Sequence, residues 1–147
     1  MITRNQPDIN FIPHSRPTLG SEEIKAASAV IESGHIAEGG TVKEFEKEFA
    51  RRLGVAYAVA TSSGTAALHL SLLAMGIGMG DEVIMPSYVC TALLNAVNYV
   101  GASPVIADIN PLTYNIDPDD VQKRLTERTR AIVVPHLFGL PADLGSL

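Results

Sequence analysis

The sequence predicts an α/β fold in which a mostly parallel sheet is flanked by helices. Four short apolar runs alternate with helix-like segments: VAYAVA (55–60), EVIMP (82–86), SPVIADI (103–109) and RAIVVPH (130–136). The runs are almost continuously apolar, which is typical of parallel strands covered on both faces. Two helix-like segments come first, and strands and helices then alternate, as in the α/β class.

The N-terminal third is predicted to hold an extended lead-in and two helices. Residues 1–20 contain three prolines and read as an extended segment that precedes a domain over 21–147. The first helix is expected to begin at Ser21 as N-cap and to end at Gly34. TVKE (41–44) fits a capping box, with Thr41 as N-cap of the second helix.

Local signals also place the later helices. Gly54 is expected to end the second helix. Asp117 followed by Pro118 is a strong helix start, because proline is favoured at the first helical position. The three helices that separate the strands are predicted at about 65–75, 90–100 and 118–126.

Composition excludes several functional classes. Eleven basic and 16 acidic residues give a net charge of −5, which argues against a nucleic-acid or anionic-membrane partner. The single cysteine, Cys90, fits a reducing compartment. MITRNQPDINF, at the N-terminus, has no apolar segment of signal-peptide length, and no apolar run is long enough to cross a bilayer. A cytoplasmic protein is therefore expected.

The turn TSSG (61–64) contains only small residues and opens a predicted helix at the end of a predicted strand. Free N–H groups and the helix dipole favour an anion at such a position. Gly64 would let an anion approach the backbone, and Ser62, Ser63 and Thr65 would add hydroxyl donors. A plain tight turn with serine caps explains the same residues, and both interpretations stay open on physical grounds.

Other phosphate-binding and catalytic motifs are missing. No lysine follows Gly64, which disfavours a P-loop. GIGMG (76–80) follows a helix and precedes a strand, the reverse of a dinucleotide fingerprint, so it is predicted to be a helix end and turn. The sequence has no G-x-S-x-G elbow and no zinc-type spacing of Cys and His.

Several blocks resemble, in order, the DegT/DnrJ/StrS family of pyridoxal-phosphate-dependent nucleotide-sugar aminotransferases. The resemblance begins at about Ile12, and its main blocks are SGHIAEGGTVKEFEKEFARRLG, TSSGTAALHLSLLAMGIGMGDEVIMPSY, GASPVIADINPLTYNIDPDDVQKRL and TRAIVVPHLFGLPADL. It implies the N-terminal part of an aspartate-aminotransferase-type (fold type I) large domain. It also implies pyridoxal 5'-phosphate, a nucleotide-sugar substrate, glutamate or glutamine as amino donor, and a homodimer or larger oligomer.

The resemblance implies five cofactor-binding residues. Ser63, Gly64 and Thr65 match the turn that holds the cofactor phosphate. Cys90 stands where the family usually places an aromatic ring over the pyridine, so its stacking role is an open question. His136 ends the last predicted strand, where the family often has a histidine; a polar group satisfied at a strand end is the alternative.

The covalent part of a pyridoxal-phosphate site is not predicted within these residues. The lysines fall on predicted helices at polar positions, namely Lys25, Lys43, Lys47 and Lys123. In the family, the Schiff-base lysine and the pyridine-facing aspartate come later than the matched region. The resemblance therefore implies the N-terminal portion of an aminotransferase, inactive alone and without a catalytic residue of its own.

Other interpretations stay open at this point. The chain could be an inert relic or assembly module of the same fold, or an unrelated small α/β phosphate-binding protein. A sugar dehydratase that uses the same cofactor without the lysine is a further alternative. The sequence does not determine the sugar or the carbon that would be aminated.

Overall fold

The computed structural model describes residues 12, 13 and 15–147. The chain divides into two compact units, residues 1–58 and 59–147. His14 and most of the predicted lead-in, residues 1–11, lie outside the described residues, and the described part of 12–20 has no regular secondary structure.

The first unit contains two helices, α1 (Ser21–Ser33) and α2 (Gly40–Leu53). Gly34 and Gly54 follow them in left-handed conformation, with φ of 73° and 69°, as predicted for helix ends. Helix α1 begins at Ser21 as predicted, but the predicted N-caps were wrong by one residue for α1 and by two for α2.

The N-caps are glycines that precede the expected polar residues. Gly20 caps α1, and its N–H donates to the Glu23 carboxylate at 2.6 Å. Gly39 caps α2, so Thr41 lies inside the first turn and the predicted capping box does not form. Both glycines have the extended backbone that the N-cap position requires.

The second unit is an α/β layer structure. Its order is α3 (Gly64–Ala74), β1 (Glu82–Pro86), α4 (Ala92–Tyr99), β2 (Ser103–Ala107), α5 (Pro118–Arg124), β3 (Thr129–Ile132) and a short 3₁₀ turn at Leu137–Gly139. The strands pair in the order β2-β1-β3, and both pairings are parallel. The predicted fold class, a parallel sheet flanked by helices, is confirmed.

The central strand, β1, is buried on both faces because helices cover each of them. Val83 packs with side chains of α3 and α4, including Leu72 and Val97. Its neighbour Ile84 points to the opposite face and packs with Val121 of α5. Successive strand residues therefore enter different cores, which explains why β1 is apolar at nearly every position.

The first predicted strand is not part of this sheet. Residues 55–60 belong to none of the three strands, and Tyr57 and Val59 are 88% and 79% exposed. β-Branched and aromatic residues favour an extended chain, but a strand also requires a hydrogen-bonded neighbour. The predicted strands 103–109 and 130–136 are also shorter in the structure, ending at Ala107 and Ile132.

Two glycines explain how α3 connects to β1. Gly76 and Gly80 have φ of 72° and 94°, values that favour glycine. The GIGMG segment is thus a helix end and a turn, as predicted. Within the described part of the chain, no helix is both long and apolar enough to cross a membrane.

Candidate functional site

The topology places several loop and helix termini at one edge of the sheet. In a parallel crossover, the helix runs back along the sheet, so its N-terminus lies near the carboxyl ends of the strands. The start of α4 and the residues after β1 and β3 therefore lie at this edge. Helix α3 packs beside α4 and leads into the amino end of β1, so its start lies toward the same edge. It is the edge where open α/β sheets bind ligands, and we refer to it as the carboxyl edge.

Ser63 is the N-cap of α3. Its Oγ accepts a hydrogen bond from the N–H of Ala66 at 3.1 Å, and its carbonyl accepts from Ala67 at 3.0 Å. The Thr61 hydroxyl donates to the same Ser63 carbonyl at 3.0 Å. The turn is therefore a capped helix start, and the side chains of Thr61 and Ser63 stabilise it.

The cap leaves the first two N–H groups of α3 for a ligand. The first N–H groups of any α-helix have no carbonyl acceptor within the helix, and those of Gly64 and Thr65 are among them. A Cβ added at Gly64 would meet no heavy atom within 4 Å, so the space in front of this residue is open. Two backbone donors, the hydroxyls of Ser63 and Thr65, and an open approach fit a phosphate group. The two interpretations of the turn are thus compatible.

Cys90 lies in the loop between β1 and α4, at the carboxyl edge. It is exposed, and its carbonyl accepts from the N–H of Leu93 at 3.4 Å. Tyr88, in the same loop, instead contacts Tyr114, with ring centroids 5.6 Å apart. Tyr88 is thus engaged with the loop after β2, and Cys90 remains the exposed side chain at the predicted stacking position.

His136 lies four residues beyond the end of β3. Its Nδ1 accepts a hydrogen bond from the N–H of Ala142 at 3.0 Å. The histidine is therefore a polar group with a local partner at a strand end, and its Nε2 is available for a ligand. His69 lies on α3, and its ring is 5.4 Å from that of Tyr99 on α4.

The lysines lie on helices, as predicted. Lys25, Lys43 and Lys47 are exposed on α1 and α2, and Lys123 is exposed in the last turn of α5. The last turn of a helix that follows a strand is at the opposite edge of the sheet. Lys123 therefore does not face the turn at 61–65.

One residue that shapes the carboxyl edge was missed by sequence reasoning. Asn115 is 4% exposed, and its side chain hydrogen-bonds the backbone at Leu137 and Leu140. In the sequence, Asn115 sits in a polar turn after β2, where asparagine is ordinary. Its partners are more than 20 residues away, so no local pattern could have indicated them.

A buried carboxylate at the opposite edge was missed as well. Glu82, the first residue of β1, accepts from Thr126 Oγ1 at 2.6 Å and from Arg128 Nε at 2.9 Å. These hydrogen bonds, with that of Thr126 the larger cause and those of Arg128 the next, lower the pKa of the Glu82 carboxyl. The interaction joins β1 to the loop before β3 and has no contact with the candidate site.

Comparison with known proteins identifies relatives that share this architecture. The model of the DegT/DnrJ/EryC1/StrS aminotransferase family matches residues 17–147. Spr1654 from Streptococcus pneumoniae, named as a sugar aminotransferase and solved in PMP and PLP forms, is 35% identical with a TM-score of 0.86. The similarity covers 92% of this chain and 34% of that one.

Two further solved structures agree. The aminotransferase from Psychrobacter cryohalolentis is 37% identical over 91% of this chain and 35% of its own, with a TM-score of 0.84. DesV from S. venezuelae is 38% identical over 85% of this chain and 35% of its own, with a TM-score of 0.77. The chain thus spans about a third of the length of these structures.

Proposed function

Because the chain belongs to the DegT/DnrJ/EryC1/StrS aminotransferase family, we propose that it supplies the cofactor-phosphate part of a pyridoxal-phosphate-dependent aminotransferase. The substrates would be a nucleotide-linked keto sugar and an amino-acid donor, glutamate or glutamine. One observation carries the proposal: the start of α3 offers two backbone N–H donors that have no intrahelical acceptor, next to open space at the Cβ position of Gly64.

Each candidate residue has a defined role in this proposal. The N–H groups of Gly64 and Thr65, with the Thr65 and Ser63 hydroxyls, would bind the phosphate, and the α3 dipole would favour its negative charge. Cys90 would lie beside the cofactor ring as a small, polarisable side chain. His136 would donate from Nε2. When bound, pyridoxal phosphate supplies an electron sink for the amine-bearing carbon.

The 147 residues would not suffice for transamination. Covalent attachment of pyridoxal phosphate needs an active-site lysine, and all four lysines are exposed on helices. The lysine and the acid that faces the pyridine nitrogen would come from polypeptide outside these residues. The relatives' structures are about three times as long as the matched region, which supports this division.

A second candidate is an assembly module of the same fold that no longer takes part in catalysis. Apolar side chains of α2 favour it, because Phe45, Phe49 and Leu53 are 56%, 46% and 60% exposed. A surface of this kind is suited to association with protein. The match to the family model argues against the third alternative, an unrelated phosphate-binding protein.

The phosphate site is tested by comparing pyridoxal 5'-phosphate with pyridoxal, which lacks the phosphate, in calorimetric titrations of the 147-residue chain. Tighter binding of the phosphorylated form is expected. Hydrogen bonds to charged groups are worth about 1.5–3 kcal/mol, so Thr65→Ala should weaken that binding at least about tenfold. Ser71→Ala is the matched control, because the Ser71 hydroxyl donates to Ala67 within the same helix. Equal affinity for both compounds would contradict the proposal.

The absence of turnover is tested separately. With pyridoxal phosphate and glutamate, the chain alone should form no keto acid in a single-turnover assay. Borohydride reduction and peptide mapping should find cofactor spread over surface lysines at low occupancy. Stoichiometric labelling of one lysine, together with turnover, would show that the active site lies elsewhere in the chain.

A further inference from the structure

Asn115 is a buried amide whose two ends bind the same distant segment. Its Nδ2 donates to the carbonyl of Leu140 at 3.1 Å, and its Oδ1 accepts from the N–H of Leu137 at 3.0 Å. The residue is 4% exposed, so its own amide is shielded from water. A buried amide with one bond removed would be left with an unsatisfied polar group.

The loop that carries Asn115 is itself held by several hydrogen bonds. The N–H of Asn110 donates to the Asn115 carbonyl at 2.9 Å, and the N–H of Tyr114 donates to the Asn110 carbonyl at 2.8 Å. The Asn110 side chain accepts from Leu112 and Thr113 inside the loop. Asn115 is therefore presented from a well-defined position after β2.

The segment that Asn115 binds needs such support. Phe138 has φ of 54° and ψ of 24°, a left-handed conformation that is unfavourable for an aromatic residue. Its side chain is 81% exposed, so burial of the ring does not compensate for this conformation. The bonds of Asn115 to Leu137 and Leu140 bracket Phe138 on both sides. They add to the backbone bonds of the turn itself, from Gly139 to the His136 carbonyl and from Leu140 to the Leu137 carbonyl.

His136 is tied to the other end of this turn. A neutral imidazole has one donor and one acceptor nitrogen. Because Nδ1 accepts from the N–H of Ala142, the ring proton is on Nε2. Ala142 follows Leu140 by two residues, so the position of its N–H depends on the turn that Asn115 closes.

We propose that Asn115 is a positioning residue for the candidate cofactor site: by closing the 137–140 turn, it fixes the orientation of the His136 ring and its Nε2–H tautomer. His136 then contacts a ligand as a hydrogen-bond donor. The relevance to a cofactor rests on the proposed function. The His136 tautomer and the hydrogen bonds of Asn115 to Leu137 and Leu140 do not depend on it.

The experiment is ¹⁵N-detected tautomer analysis of the 147-residue chain at neutral pH, with the His136 signals identified by their loss in His136→Gln. The wild-type ring should show an unprotonated Nδ1 and a protonated Nε2. In Asn115→Ala, the two tautomers should mix, and the Leu137 amide should lose hydrogen-exchange protection. Asn98→Ala is the matched control, since Asn98 is exposed near the end of α4, away from the Asn115 loop, and it should keep the wild-type tautomer.

Asn115→Asp is the second variant, because it retains the acceptor for Leu137 but cannot donate to the Leu140 carbonyl. It should shift the tautomer populations in the same direction as Asn115→Ala, because a carboxylate oxygen placed against the Leu140 carbonyl cannot bind it. A folded Asn115 variant with the wild-type His136 tautomer would overturn the proposal. Loss of folding in both variants would also overturn it, because Asn115 would then determine global stability.

Binding of pyridoxal 5'-phosphate separates this inference from the proposed function. If the wild-type chain has the fixed tautomer but binds no cofactor, the proposed function fails and the positioning role stands. If the chain binds the cofactor through its phosphate but His136 shows mixed tautomers, the positioning role fails and the proposed function stands.

Discussion

Ser63 combines two roles that substitutions can separate: it caps α3, and it is a candidate phosphate ligand. Ser63→Ala removes the acceptor of the Ala66 N–H, a bond of 3.1 Å. Loss of a serine N-cap costs about 0.5–2 kcal/mol, typically about 1. For a unit of the size of residues 59–147, which contains α3, a change of about 1 kcal/mol lowers Tm by about 4–8 °C.

Ser63→Gly provides the comparison. Glycine is tolerated at the N-cap and costs only a few tenths of a kcal/mol relative to serine. Both variants remove the hydroxyl that could contact a phosphate. If Ser63 only caps the helix, Ser63→Gly should be nearly as stable as the wild type. In that case neither variant should change the ratio of the affinities for pyridoxal phosphate and pyridoxal.

The measurements are urea denaturation followed by circular dichroism, hydrogen exchange of the α3 amides, and titration with both compounds. We expect alanine to destabilise α3 by about 1 kcal/mol and glycine by less. We also expect both variants to weaken binding of the phosphorylated compound by a similar factor. A Ser63→Ala chain with wild-type exchange rates in α3 would show that the cap bond does not stabilise the helix.

Three further outcomes follow from the packing and the charges. Ile84→Ala should cost about 2–5 kcal/mol, because Ile84 is fully buried in β1, whereas Ile106→Ala, at a position 42% exposed, should cost clearly less in the same urea titration. The pKa of Glu82 is lowered in the folded chain, so its contribution to stability is complete above the ordinary glutamate pKa, about 4.3, and is lost as the pH falls toward the lower folded value. Glu82→Gln should therefore reduce the change in the free energy of unfolding with pH in acid. Glu48→Gln, which breaks an exposed ion pair, should reduce this change less, and equal changes for both variants would refute the reasoning. Asp117→Ala should destabilise α5 by about 1 kcal/mol by removing the acceptor of the Asp119 N–H, and unchanged exchange of the α5 amides would contradict this.

Most helix ends and the bounds of the central strand depend on neighbouring residues and were predictable, whereas the expected N-caps Ser21 and Thr41 were wrong. Gly34 and Gly54 end their helices with positive φ, and Asp117 caps α5 with Pro118 at the first helical position. The bounds of β1, Glu82–Pro86, were predicted without error. These features are set by backbone sterics, local hydrogen bonds and the apolar pattern of a central strand, and all three act over a few residues.

The candidate site was only partly predictable. The start of α3 could be inferred from small residues before an apolar helix, and the structure adds the Ser63 cap and the open space at Gly64. The roles of Ser63, Gly64, Thr65, Cys90 and His136 toward a cofactor stay predictions. The bond from Ala142 to His136 joins residues six apart in irregular backbone, for which no sequence pattern exists.

By itself, the sequence determined the fold class, the helix ends and the family. Apolar periodicity, the conformational preferences of glycine and proline, and the order of the motif blocks can all be recognised from residues that are close in sequence. Only the tertiary structure decided that residues 55–60 lie outside the three-stranded sheet, that Glu82 is held by Thr126 and Arg128, and that Asn115 closes the turn after β3. The physical reason is that strand pairing and buried polar bonds depend on which groups meet across long separations in the chain. A segment can favour an extended conformation and still lack a strand beside it. The local sequence around an asparagine in a polar turn does not indicate which distant carbonyl it will bind.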